Sequence, residues 1–264
     1  MLQRLCILFL FAHVLTACSD RQHEVAIPFA PVFGEENLSC SGNTLALTDL
    51  RLYVSDVQLV STDGILVDVR LHSDGQWQQP DLVLIDLEDG TGACVNGTSV
   101  MNTTLRGLVP AGEYRGLNFT VGVPFDRNHG DPLKADAPLG DSAMHWHWRA
   151  GYKFLRAGIR AADDGFWIHL GSTGCEGTVK NITGCRFPNR VQVSLDDFVP
   201  GQDTVAIDLA AFVADADLED AVPMDCSSSP AEESCATPFN ALGLDFGTNR
   251  ATQNQRVFGL KVRY

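Results

Sequence analysis

Residues 144–154 read Met-His-Trp-His-Trp-Arg-Ala-Gly-Tyr-Lys-Phe and place two histidines (His145, His147) and two tryptophans (Trp146, Trp148) at four consecutive positions. On an extended strand alternate side chains share a face, so His145 and His147 fall on one side and Trp146 and Trp148 on the other. Imidazole is a good ligand for borderline and soft metals, and tryptophan is the most easily oxidised aromatic side chain. The spacing therefore points to copper or redox chemistry. The same pattern also fits a half-buried strand with its tryptophans in the core and a polar outer face.

The compartment decides how the cysteines are read. Arg4 precedes a short apolar stretch that closes on Leu15-Thr16-Ala17-Cys18. Residues 1–17 are expected to be a signal peptide, too short for a membrane-spanning helix. The closing tetrapeptide has the form of a bacterial lipobox, which makes Cys18 the expected lipidated residue, with residues 18–23 as a tether and 24–264 as the folded domain. Ser19 after Cys18 favours the outer membrane, with the domain anchored at its periplasmic side or at the cell surface rather than spanning it.

Beyond Cys6 and Cys18, the chain holds Cys40, Cys94, Cys175, Cys185, Cys226 and Cys235. An even number in an exported chain reads as disulfides, although spacing alone does not choose among the possible pairings. Local loop closure favours Cys175–Cys185 and Cys226–Cys235, leaving Cys40–Cys94. No CxxC or CxxCH motif occurs, which argues against a zinc site and against a covalently attached c-type haem. The formal net charge of −14 at pH 7 argues against partners such as nucleic acid or an anionic membrane surface.

The elements that must position these residues are strands. Alternation is plain in residues 50–60 and 205–209, and turn signals such as Asp63-Gly64, Asn96-Gly97 and Pro110-Ala111-Gly112 separate the runs. Strands are expected at 25–30, 45–60, 65–71, 82–87, 114–123, 145–156, 166–170, 190–195, 204–213 and 256–264. A short helix could fall at 209–218, and residues 227–233 read as a mobile disulfide-closed loop. Many short strands without alternating helices predict an all-β domain, a single β-sandwich or barrel-like fold with disulfide-closed loops. The acidic run 215–220 lacks the glycine and closing glutamate of a calcium loop and reads as a solvated stretch. No Gly-x-Ser-x-Gly, HExxH or phosphate-binding loop is present, so nothing proposes hydrolysis.

Several segments, in this order, resemble one family. They are residues 47–55 (Leu-Thr-Asp-Leu-Arg-Leu-Tyr-Val-Ser), 84–90 (Leu-Ile-Asp-Leu-Glu-Asp-Gly) and Gly122-Val123-Pro124-Phe125 with Asn128-His129. They continue with Pro138-Leu139, the Trp146-x-Trp148-x-x-Gly151-Tyr152-Lys153-Phe154 segment, residues 169–175, and Cys185 with Pro188-Asn189-Arg190. Jointly, from about residue 29 to 258, the chain resembles MbnP-type proteins, the four-Cys members of the metallo-mystery pair, which occur beside a MauG-like dihaem peroxidase of the MbnH type.

The resemblance implies an exported copper-binding protein, not itself an enzyme, serving copper acquisition or homeostasis. In such proteins the partner peroxidase oxidises a tryptophan to kynurenine, whose amine then joins histidines around copper. Mapped here, the oxidation site falls on Trp146 or Trp148, with Trp146 favoured, and the histidine ligands fall on His129 and His169. The chemistry is consistent: intact indole offers only an N–H donor, whereas ring opening exposes an amine. His145 and His147 occupy variable positions of the motif; together with Met144 they could add a second, softer copper site. The alternative from a different class is a non-metal surface β-sandwich, an adhesin or structural binding module with the aromatic strand in its core.

Overall fold

The computed structural model describes residues 21–161, 164–216, 218, 224–252 and 254–261. The signal peptide and the first half of the expected tether, Cys18 included, lie outside the described residues. Strand β1 (Gln22–Phe33) already includes the last two residues assigned to that tether.

Two sheets face one another. The first runs β14 (Phe258–Leu260), β12 (Val205–Asp208), β1 and β4 (Thr104–Pro110), then a short edge at Arg70–Leu71. The second runs β11 (Val191–Asp196), β5 (Tyr114–Val121), β2 (Leu45–Ser61), β7 (Gly151–Ala161), β8 (Asp164–Gly171) and β13 (Met224–Cys226). Strand β3 (Leu82–Asp86) also pairs with β2. The β1–β12 and β8–β13 pairs are parallel and the remaining named pairs antiparallel. The fold is therefore the all-β sandwich expected from the strand pattern.

Alternation sets the inner faces. Val25, Ile27 and Phe29 of β1 are buried in turn, as are Val191, Val193 and Leu195 of β11. Phe119 of β5 meets Phe29 and Phe258 edge-on, at ring-centroid distances of 5.8 and 5.5 Å, and so bridges the sheets. Each such buried aromatic contributes about 1.5–3 kcal/mol relative to exposure. The 17-residue β2 is buried along most of its length on both faces, because β3, β5 and β7 surround it and residues 86–88 and 141 cover its second face.

All three expected disulfides are present: Cys40–Cys94, Cys175–Cys185 and Cys226–Cys235. Cys175–Cys185 closes a separate two-stranded hairpin of β9 (Thr173–Thr178) and β10 (Asn181–Phe187).

Four expectations need correction. The strand expected over 145–156 is broken into β6 (His145–His147) and β7, which fold back on each other because residues 148–150 turn and Gly151 takes φ +79°. The strand at 65–71 is two fragments, Leu66–Asp68 and Arg70–Leu71. The helix at 209–218 is only a 3-10 turn, Leu209–Val213, whose first turn is capped by the Asp208 carboxylate accepting from the Ala210 amide. Residues 227–233 are not a loose loop, since Ser228 is fully buried and hydrogen-bonded to β8 and the glycine that ends it. Two short helices, α1 (Phe125–Asn128) and α2 (Ala236–Ala241), had no clear periodic signal.

Candidate metal centre

The β6–β7 hairpin presents the tryptophans, but not by simple alternation. His145 pairs with Tyr152 and His147 with Gly151, so the register slips at Trp146. An irregularity of this kind re-aims the side chain it carries. Trp146 is half-buried and lies over Gly171, where an added Cβ would come within 3.1 Å of the indole. Its ring stands edge-on to His169 at 6.3 Å between centroids. Trp148 instead sits in the turn, 38% exposed, with the Arg149 guanidinium 4.9 Å from its ring centre. The two tryptophans therefore occupy different environments, one against a histidine and one at the surface.

The two motif histidines also diverge. His145 is half-buried and edge-on to Tyr152 at 5.3 Å. His147 is exposed, and its Nδ1 accepts the Arg149 and Ala150 amides at 3.3 and 3.4 Å, capping the turn. Met144 is fully buried in the core. The register shift and the turn place His145 against Tyr152 and His147 on the turn amides, so the two imidazoles differ in setting.

His169 is set by the sheet. Cross-strand pairing aligns Asp86 of β3, Arg51 of β2, Arg156 of β7 and His169 of β8 in one row. Neighbours across a sheet share a face, so a buried charge network runs up to the imidazole. Burial, reinforced by the Arg156 and Lys153 cations, pushes the His169 ring down to about 4, leaving it neutral near pH 7. The backbone here is pinned by Ser228, whose hydroxyl donates to the His169 carbonyl at 2.7 Å and accepts the Gly171 amide at 2.9 Å.

His129 follows α1 and is half-buried, its ring edge-on to Phe125 at 5.2 Å. Its Nε2 lies 3.3 Å from the Asn128 amide nitrogen and 3.5 Å from Cys185 Sγ. Nδ1 is buried with no hydrogen bond of ordinary geometry. Burial lowers the pKa of the ring, while the nearby Trp148 backbone works in the opposite direction. A buried imidazole nitrogen without a full partner suits a metal ligand.

A family model of MbnP matches residues 22–229. The chain belongs to the MbnP family. Among solved structures it is similar to MbnP from Methylosinus trichosporium, with a TM-score of 0.77 and 27% sequence identity over 91% of this chain and 98% of that one. No functionally curated protein matches it in sequence.

Within this MbnP-family chain, the expected residues are partly assembled. Trp146 is in ring contact with His169. His129 reaches the same hairpin through Asn128 and the Trp148 backbone. Among the described residues, two groupings bring three His, Cys, Asp or Glu ligand atoms together: His129 with Cys175 and Cys185, and Cys40 with Asp89 and Cys94. In each, both sulfurs are committed to a disulfide, so neither offers thiolates. Among the described residues neither His129 nor His169 falls in a group of three with free ligand atoms of these types, and Trp146 is the aromatic side chain in ring contact with His169. Sequence reading missed Asn128, Ser228, Lys153 and Arg156 as supports; the juxtaposition of Asn128 with His129 and the glycine at 151 were its only local signals.

Proposed function

We propose that this protein is an exported copper-binding lipoprotein in which Trp146 is oxidised to kynurenine by a MauG-like dihaem peroxidase. The new amine joins His129 and His169 around copper, and the protein serves copper acquisition or homeostasis. Opening the indole C2–C3 bond to N-formylkynurenine adds two oxygen atoms and consumes two equivalents of hydrogen peroxide, which are reduced to two waters overall. Hydrolysis of the formyl amide then consumes one water, breaks the C–N bond and releases formate, leaving an aniline-type amine beside a ketone. Copper bound there would be cargo.

Family membership supports the reading, and one geometric observation carries it: Trp146, on the hairpin whose register slips at that residue, stands against the neutral, half-buried imidazole of His169. Nitrogen donors favour copper over other divalent first-row ions. Asp49, the buried carboxylate of the network beside His169, is engaged with both Arg51 and Arg156.

The test compares protein produced with and without the peroxidase, each with His129→Ala and His169→Ala variants, by copper content after exhaustive dialysis. Stoichiometric copper is expected only when the peroxidase is present and both histidines are intact. Equal copper in all samples, or none in any, contradicts the proposal and leaves a non-metal surface module.

A further inference from the structure

We propose that Asn128 is a positioning residue that couples His129 to the Trp146 hairpin, so that loss of its side-chain amide weakens metal capture without unfolding the sandwich. The inference rests on the copper reading above.

The argument begins where the ladder runs out. Strand β7 is paired with β8 only from Lys153 onward and with β2 only from Leu155 onward. Its first two residues, Gly151 and Tyr152, rely on β6, whose register slips at Trp146. The Asn128 side chain fills this gap as a peptide would. Its Oδ1 accepts the Tyr152 amide at 2.9 Å, and its Nδ2 donates to the Ala150 carbonyl at 3.1 Å. The pair of bonds straddles Gly151, and an added Cβ there would fall 2.1 Å from the Asn128 carbonyl oxygen. The close approach therefore requires glycine.

Asn128 is only 1% exposed, and the next residue is His129. Both functional groups of its amide are used on the hairpin that carries Trp146, while its Nδ2 also lies 3.3 Å from His129 Nε2. Few side chains can do this. Aspartate keeps the acceptor and loses the donor, alanine loses both, and glutamine is a methylene too long. Groups that orient metal ligands from outside the coordination shell typically change affinity by roughly 10–100-fold when removed.

The test uses the full chain purified from its native host, as wild type, Asn128→Ala, Asn128→Asp and His169→Ala. Copper affinity is read by competition with a chelator, Tyr152 amide exchange by hydrogen–deuterium exchange, and the His129 ring by NMR. In Asn128→Ala the Tyr152 amide should exchange faster, the His129 signals should move, and copper affinity should fall roughly 10–100-fold. Protection in β1 and β12 should stay as in wild type. Asn128→Asp should fall between the two, a partial rescue by the surviving acceptor. A folded Asn128→Ala protein with wild-type copper affinity overturns the inference; if that variant does not fold, wild-type affinity in Asn128→Asp does so. If wild type itself holds no copper, the copper reading fails, and unchanged His129 signals in the variants would overturn the positioning role separately.

Discussion

Two polar regions meet on strand β7 and are built on opposite rules. Deep in the sheet, Asp49 binds both Arg51 and Arg156 at 2.7 Å, with side chains 2%, 5% and 15% exposed. Charges there are paired, because an unpaired ion in that setting would cost several kcal/mol. One cross-strand step away, His169 is kept neutral, and across the hairpin His129 holds a buried nitrogen without an ordinary partner. The first region balances its buried guanidinium groups with carboxylates and so holds the sheet together; the second holds imidazoles that burial keeps from carrying charge. Arg156 belongs to both, since it pairs with Asp49 and, like Lys153, donates to the carbonyl of Ala143 at the approach to Trp146.

The comparison predicts an ordered set of effects. Asp49→Ala should be the most damaging change, because it removes the carboxylate shared by two guanidinium groups and leaves Arg51 only the longer pairs to Glu88 and Asp141; a loss of about 3–5 kcal/mol is expected in urea denaturation. A loss below about 1 kcal/mol would mean that the network is not what holds these strands. Gly151→Ala comes next, at about 1–3 kcal/mol, since it forces a Cβ into the Asn128 backbone at positive φ.

Glu88 sharpens the comparison through pH. Burial, with smaller contributions from Asp86 and Asp49, pushes its carboxyl up to about 7 against the pull of Arg51. The folded chain therefore binds more protons at this site than the unfolded chain between the ordinary glutamate range and about pH 7. Its contribution to stability is present at low pH and lost as pH rises through that window. Glu88→Gln should match wild type near pH 5 and melt at a higher temperature near pH 8, whereas a variant weakened more at pH 8 would show that the Arg51 ion pair dominates. The smallest stability effect is expected for His169→Ala, below about 1 kcal/mol, together with loss of copper. That combination would separate the two regions cleanly.

Much of the scaffold was legible. The alternation in β1 and β11, the turn dipeptides and the cysteine spacing pointed to a disulfide-stapled sandwich; two bridges are where local closure placed them, and Cys40–Cys94 is the pair that remained. The same alternation rule misled at Arg51, which it puts on an outer polar face. That face is covered, so Arg51 is 4% exposed and its charge is answered by residues distant in sequence. It failed again at 145–148, where a slipped register and a tight turn put Trp146 against His169 and Trp148 at the surface. The family motifs named His129, His169 and Trp146, but not the supports, because Asn128 and Ser228 act through backbone contacts that only the folded chain brings together.

The most direct measurement is peptide mass mapping with metal analysis on protein from the native host grown in ample copper. The account predicts kynurenine at residue 146, intact Trp148 and one copper ion per chain. Intact Trp146 with no bound copper under the same conditions would contradict it.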